Sequence, residues 1–311
     1  MKKKNFYSVI FLSILVFSFV FYFFWHFPEF KSISFQNISC LLPAILLILS
    51  MLYTNGLVIK YLLEPFKIKL FFREWLGLSV ITAAGNYLTP FRGGAIARAT
   101  YLKHEHKFSH SHFLSTLAGI YVIVFWVNSL AGITTLGALY LLENKFNFLL
   151  FSAFLILFLG LSLVILLSPR IRKTKLTIIN KIIMVINGWN LIKKNKKIIF
   201  AVALIALINI LIMAGIVFFE FKIIGKTLNF IGTLFIAINS TLSLFLSITP
   251  GSLGVKEAII VFSARILGIS PAEALTVGVI DRLINLALLI ILSPIFSYFL
   301  IKKKTTNVEN R

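Results

Sequence analysis

Ile248-Thr-Pro-Gly-Ser-Leu-Gly-Val-Lys-Glu257 interrupts a long apolar sequence and decides how this chain folds. Residues 228–248 lead into it and residues 258–267 leave it, and both stretches are apolar. Pro250 has no backbone N–H and restricts the residue before it to extended conformations, so a helix should stop here. The two glycines permit a tight reversal. In lipid such a break survives only where protein buries it or a wet cavity faces it. We therefore predict the tip of a broken or re-entrant helix pair that binds an anionic group.

The composition predicts a polytopic membrane protein. Hydrophobic residues make up 59% of the 311 residues, the mean hydropathy is +0.96, and charged residues are 13%, against about 25% in a soluble domain. This length accommodates one integral membrane domain, residues 1–311, and no large soluble domain. The single cysteine, Cys40, excludes an internal disulfide framework. The net charge is +21, but its location beside apolar stretches indicates a membrane surface rather than nucleic acid.

The apolar stretches predict an all-α protein with six full transmembrane helices and two interrupted elements. Lysines precede the first stretch and no small-residue cleavage site follows it, so we expect an uncleaved first span. Both termini are predicted to be cytoplasmic, residues 220–227 to form an outer loop, and residues 176–189 an amphipathic helix on the membrane surface. The predicted full spans are residues 7–25, 38–59, 113–142, 148–168, 198–219 and 272–300, and the interrupted elements are residues 75–98 and 228–267.

The distribution of Lys and Arg agrees with this topology. Most of the 31 basic residues fall in segments predicted to be cytoplasmic, as the positive-inside rule requires. The exceptions are four residues in outer segments (Lys31, Lys145, Lys222, Lys226) and three at membrane depth (Lys256, Arg265, Arg282).

The two interrupted elements resemble each other, which predicts an inverted repeat. Leu88-Thr-Pro-Phe-Arg-Gly-Gly94 aligns with Ile248-Thr-Pro-Gly-Ser-Leu-Gly254 through Thr, Pro and one Gly. The halves would be residues 7–142 and 148–300, with their elements opening to opposite faces. Broken helices at matching positions of inverted halves are a sequence sign of a transporter binding site.

Basic residues at the interruptions are candidate ligands of a phosphate group. Lys256 lies at the start of a new half-helix, where free N–H groups and the helix dipole attract anions. Arg92 and Arg98 could serve the same purpose in the inner element, since Arg suits bidentate phosphate contact.

Acidic residues near the second interruption allow two interpretations. Glu257 can balance Lys256 or meet a cationic head group, and Asp281, the only Asp, lies mid-span beside Arg282. One interpretation is substrate contact; the other is that these four charges pair across helices and fix their packing. The sequence contains no ATP-binding P-loop, so lipid movement would be passive, ion-coupled or driven by a partner. Asp281 and Glu257 are candidates for a proton-coupled step.

The segment around His106 and His110 carries the spacing of a metal-binding pair on a helix. The alternative, which we favour, is a solvated basic loop. We expect neither a metal nor a cofactor.

The second interruption and the sequence after it contain three motifs: Pro250-Gly-Ser-Leu-Gly-Val-Lys-Glu257, Gly268-Ile-Ser-Pro-Ala-Glu273 and Asp281-Arg282. Together they resemble one signature of the flippase-like membrane domain of lysylphosphatidylglycerol synthases. Gly85-Asn-Tyr-Leu-Thr-Pro90, Arg92-Gly-Gly94 and Arg98 resemble its other signature. The resemblance covers residues 8–300 and implies a protein that handles a lipid. With the residue chemistry above, it predicts these substrate-binding residues: Asn86, Pro90, Arg92, Arg98, Pro250, Gly251, Gly254, Lys256, Glu257, Glu273, Asp281 and Arg282.

The sequence also departs from that family in two respects. The soluble aminoacyl-transferring domain of the full-length enzymes is absent, so the expectation leans against an enzyme. Residues 113–142 carry no charged counterpart of Asp281-Arg282.

Three functions follow as hypotheses. We predict a flippase-like transporter of the plasma membrane that moves an anionic or aminoacylated phospholipid between leaflets. The alternatives are a phosphatidylglycerol lysyltransferase-type enzyme and an accessory subunit or scaffold in lipid or cell-envelope synthesis. The expected partners are anionic lipid head groups, with a second copy of the chain or a membrane-associated synthase as further possibilities, and no nucleic acid.

Overall fold

The computed structural model is all-helical over the residues it describes, which are 24, 27–31, 33–168, 177–246 and 249–309. No strand occurs among them, so the predicted all-α fold class is confirmed. The predicted first span, residues 7–25, lies outside the described residues except for Phe24.

Within those ranges, five helices are long and apolar enough to cross a membrane. They correspond to the five predicted full spans from residue 38 onward. A short helix, α1, precedes them at Phe27–Lys31. The five are α2 (Leu41–Leu63), α5 (His110–Glu143), α6 (Phe148–Leu167), α8 (Lys196–Ile223) and α11 (Pro271–Glu309).

Small polar residues begin several of these helices, because the first backbone N–H groups of a helix need acceptors. The Asn147 side chain accepts a 3.0 Å hydrogen bond from Leu150 N at the start of α6. Ser109 and Asn195 occupy the same position before α5 and α8. Each of these capping residues therefore fixes the residue at which its helix begins.

Both predicted interrupted elements are present. The inner one consists of α3 (Phe72–Leu88), a 3₁₀ turn (Pro90–Arg92) and α4 (Gly93–His106). The outer one consists of α9 (Phe230–Thr241), two 3₁₀ turns (Leu242–Leu246 and Pro250–Ser252) and α10 (Val255–Ile266). The α-helical geometry of the outer element ends at Thr241, ahead of the predicted limit at residue 248, because the chain tightens into 3₁₀ turns before Pro250.

Glycines allow the inner element to fold back tightly on itself. A Cβ atom on Gly94 would lie 1.9 Å from the Thr82 carbonyl oxygen, and one on Gly85 would lie 2.5 Å from the Gly94 Cα. Both distances are shorter than any van der Waals contact, so α3 and α4 can cross at this distance only with glycine at these positions.

The helices pack in the pattern that an internal repeat produces. The spans α2 and α8 pack on each other, and each also packs on the first arm of its own interrupted element, α3 and α9 respectively. Each first arm in turn packs on the span that follows the other element: α3 on α11, and α9 on α5. Exchanging the two halves therefore preserves these contacts.

The helix in the basic loop packs on protein. It forms α7 (Thr177–Lys194), longer than the predicted residues 176–189, and it lies against α5. Trp189 and Ile192 are buried there, and a Cβ on Gly188 would lie 2.1 Å from Ser115 Oγ. The predicted helix is therefore present and packs part of its apolar face on the bundle, and its position on the membrane surface stays a prediction.

Candidate functional site

The tips of the two interrupted elements meet. The turn Pro90–Arg92 contacts the turn Pro250–Ser252, and α3 also reaches the latter. The Arg92 guanidinium donates a hydrogen bond to the Leu244 carbonyl oxygen in the outer element. Gly251 has a positive φ of 56°, and a Cβ there would lie 2.9 Å from Arg282 Nη1 and 3.3 Å from Tyr87 Cδ1. Glycine therefore lets the outer tip approach both side chains closely.

Two buried ion pairs join α10 to α11 beside this junction. Lys256 Nζ lies 2.5 Å from Asp281 Oδ2. Arg282 Nε and Nη2 lie 2.9 Å and 2.6 Å from Glu257 Oε1. Asp281 is 4% exposed. The four charges therefore pair across helices, as one of the two interpretations of the sequence predicts. Contact between these charges and a substrate stays a prediction.

The break in the outer element orients these charges. Gly254 ends the reversal with a φ of 83°, and α10 begins at the next residue. Glu257, in the first turn, accepts a 2.7 Å hydrogen bond from Gly254 N through Oε2 while Oε1 receives Arg282. Arg282 Nη2 also donates to the Gly251 carbonyl oxygen at 3.2 Å. One guanidinium therefore ties the first turn of α10 to the turn that begins at Pro250.

The inner element contributes basic and polar side chains. The Arg92 guanidinium lies 4.9 Å from the Tyr121 ring centroid, and the buried Arg98 guanidinium lies 5.2 Å from that of Phe113. Pro90 begins the turn that ends at Arg92. Asn86 Oδ1 is buried and has no hydrogen-bond partner among the described residues. Aromatic rings therefore face both guanidinium groups, and a role of Asn86 in binding a substrate stays a prediction.

Glu273 lies away from this junction. It forms a capping box with Ser270 at the start of α11, with hydrogen bonds of 3.2 Å and 3.3 Å. Its other carboxylate oxygen lies 2.9 Å from Lys226 Nζ. Glu273 is thus a predicted site residue whose contacts in the structure are with the start of α11 and with Lys226.

Sequence reasoning missed Glu220. It was assigned to an outer loop, but α8 continues to Ile223 and buries Glu220, which is 1% exposed. Its Oε1 has no hydrogen-bond partner among the described residues. The apolar run that continues around Glu220 was the available signal, since a lone acid in such a run belongs to a buried face.

One histidine of the His-containing segment contacts a buried acid. His106 Nε2 lies 2.6 Å from Oε1 of the buried Glu74, and Tyr101 donates to the same oxygen at 2.9 Å. Burial and the Glu74 carboxylate raise the pKa of Tyr101. No group of three or more metal-ligating side chains occurs in the part of the chain that the structure describes.

Comparison with known families identifies most of this chain. The family model described as the lysylphosphatidylglycerol synthase transmembrane region matches residues 6–293. That match includes both interrupted elements and the two ion pairs. Searches of curated proteins and of solved structures found no significant match.

Proposed function

Because the chain belongs to the family of the lysylphosphatidylglycerol synthase transmembrane region, we propose that it moves an anionic or aminoacylated phospholipid between the leaflets of the plasma membrane. The family and the candidate spans make it a multi-pass membrane protein of lipid-related processes. The transport activity is our proposal.

The observation that carries this proposal is the meeting of two interrupted helices beside buried charge. Backbone at a helix break can leave its polar groups available to a ligand in a way that a continuous helix cannot. Lys256 and Arg282 lie at this junction and Arg92 is at the opposing tip, which supplies cations from both halves. Such an arrangement suits a phosphate that enters from either face.

A lipid phosphate would act by exchanging ion-pair partners. Lys256 and Arg282 are each bound to a carboxylate in this conformation, so a phosphate must replace Asp281 or Glu257. That replacement would weaken the contact between α10 and α11, because each ion pair bridges those helices. Phosphate binding at the junction would thereby loosen the tip of the outer element. Arg92, at the tip of the inner element, is the cation that the phosphate would contact next.

Transport can be tested with purified protein in proteoliposomes. The assay follows the leaflet accessibility of labelled phosphatidylglycerol, an aminoacyl-phosphatidylglycerol and a polyprenyl phosphate. We expect selective exchange of one lipid by the wild type, strongly reduced in Lys256→Ala and in Asp281→Asn. Lys226→Ala is the matched control, since it removes a lysine from the exposed ion pair with Glu273.

The outcomes separate the hypotheses. Selective exchange that both junction variants lose, and that the control retains, supports the proposal. Equal exchange by all four proteins would make the junction charges structural. If well-folded wild type exchanges none of the lipids, the transporter proposal fails and the scaffold hypothesis takes its place.

A further inference from the structure

An apolar groove lies between α6 and the 3₁₀ turn Leu242–Leu246 of the outer element. Residues of α6 from Leu150 to Leu157 form one wall, and Leu242 and Phe245 form the other. The groove has a volume of about 300 Å³, and every residue that lines it is apolar. That volume is within the range of small-molecule sites, at its lower end.

The groove opens at the periphery of the helical bundle. Ile156 in one wall is 71% exposed, and Phe245 in the other is 55% exposed. Within α6 only Leu150 and Phe154 are buried, so this span has little protein around it. The hydrocarbon core of a bilayer surrounds such a surface with acyl chains. A hydrocarbon chain is therefore the ligand that the lining matches chemically.

Contacts with α5 give the groove a defined shape. Phe154 is 1% exposed, and a Cβ atom on Gly132 of α5 would lie 2.7 Å from its ring. The Phe245 ring stacks on Phe125 of α5, with 3.8 Å between the ring centroids and 14° between the ring planes. Each wall thus contains an aromatic side chain that packs on α5.

Aromatic side chains also connect the groove to the tip of the inner element. Phe125 stacks on Tyr121 with 6.0 Å between the ring centroids, and the Arg92 guanidinium lies 4.9 Å from the Tyr121 centroid. Arg92 also donates to the carbonyl oxygen of Leu244, the residue before Phe245. A cation and an apolar groove are therefore neighbours, in the order in which a phospholipid joins its phosphate to its acyl chains.

We propose that this groove binds one acyl chain of an anionic phospholipid whose phosphate lies at Arg92. The guanidinium selects the anionic head group, and the groove holds the chain beside the junction. An acyl chain gains little hydrophobic free energy by leaving bulk lipid, so the groove contributes position rather than affinity. That the bound lipid is also the one moved between leaflets rests on the proposed transport function, whereas occupancy of the groove does not.

Photocrosslinking measures this occupancy without any transport assay. The full chain is placed in phosphatidylcholine nanodiscs with a trace of phosphatidylglycerol that carries a diazirine in one acyl chain, or of phosphatidylcholine with the same label. Mass spectrometry compares the label on residues 150–157 with the label on residues 158–167 of the same helix. We expect this ratio to be at least several-fold higher for phosphatidylglycerol. Equal ratios for the two lipids would make the groove an ordinary lipid contact and overturn the proposal.

Two substitutions test the chain and the charge separately. Ala153→Phe places a ring in the groove and should reduce the label on the other groove residues several-fold. The matched control is Leu163→Phe, at a position of the same helix that is 56% exposed and outside the groove, and it should leave the label unchanged. Arg92→Gln, whose amide can still donate to the Leu244 carbonyl oxygen, should remove the preference for phosphatidylglycerol. Labelling that stays unchanged in either Ala153→Phe or Arg92→Gln would refute the site.

Lipid exchange in proteoliposomes then tests whether the bound lipid is the transported one. Ala153→Phe should slow the exchange of phosphatidylglycerol several-fold, and Leu163→Phe should not. Exchange that Ala153→Phe leaves unaffected would refute the link to transport, while the crosslinks decide the site itself. Absence of exchange by wild type would instead refute the proposed function, and the crosslinks would still decide whether the groove holds the chain.

Discussion

Removing both partners of the Lys256–Asp281 ion pair should destabilise the protein much less than the two single removals added together. The two side chains approach to 2.5 Å, and they are 16% and 5% exposed. Lys256→Met leaves the buried Asp281 carboxylate without its cation, and Asp281→Asn leaves a buried ammonium without its carboxylate. Breaking a buried pair from one side costs about 3–5 kcal/mol. The double variant contains no uncompensated charge from this pair, so its loss should be smaller than the sum by about 3 kcal/mol.

The assay is reversible unfolding in mixed detergent micelles, followed by circular dichroism for the four proteins of the double-mutant cycle. Lys226 and Glu273 provide the matched control pair, because their 2.9 Å contact is also between Lys and a carboxylate, but Lys226 is 53% exposed. The coupling energy of the Lys226–Glu273 pair should be below about 1 kcal/mol. Equal coupling energies for the buried and the exposed pair would refute the argument that burial decides the effect.

Two further predictions concern the inner element. In a thermal melting assay, Gly94→Ala should abolish folding or lower the melting temperature severely, because its Cβ would lie 1.9 Å from the Thr82 carbonyl oxygen. The control is Gly137→Ala, which should be neutral or slightly stabilising because a Cβ there would have nothing within 4 Å. Tyr101→Phe should cost about 1.5–3 kcal/mol at neutral pH through loss of its hydrogen bond to Glu74. Because the folded-state pKa of Tyr101 is raised, that advantage of the wild type is complete below the unfolded value of about 10 and declines above it. A difference in unfolding free energy that stays constant up to the alkaline limit of folding would contradict this assignment.

Local signals in the sequence were sufficient for the helices and their interruptions. Proline lacks the backbone N–H that a continuing helix needs, so Pro90 and Pro250 each mark an interruption. Gly251 and Gly254, after Pro250, adopt positive φ. The apolar runs have the length of a membrane span, so five of the predicted full spans are helices with nearly the predicted limits. Each of these signals acts within a few residues.

The pairing of the charges was not accessible in the same way. Lys256, Glu257, Asp281 and Arg282 were identified as a group, but the sequence left two roles open for them. Their partners depend on how α10 lies against α11, a contact between helices. Glu273 shares a motif with the group, yet its position in the first turn of α11 commits it to capping and to Lys226.

The sequence by itself determined an all-helical membrane protein with two broken elements, because apolar length, proline and glycine act locally. Only the tertiary structure decided that the two tips meet and that Lys256 reaches Asp281. Lys256 comes from α10 and Asp281 from α11, and their proximity depends on how those helices pack. The energy of a buried charge depends on its neighbours in space. The chemistry of this site therefore became apparent only once the packing was known.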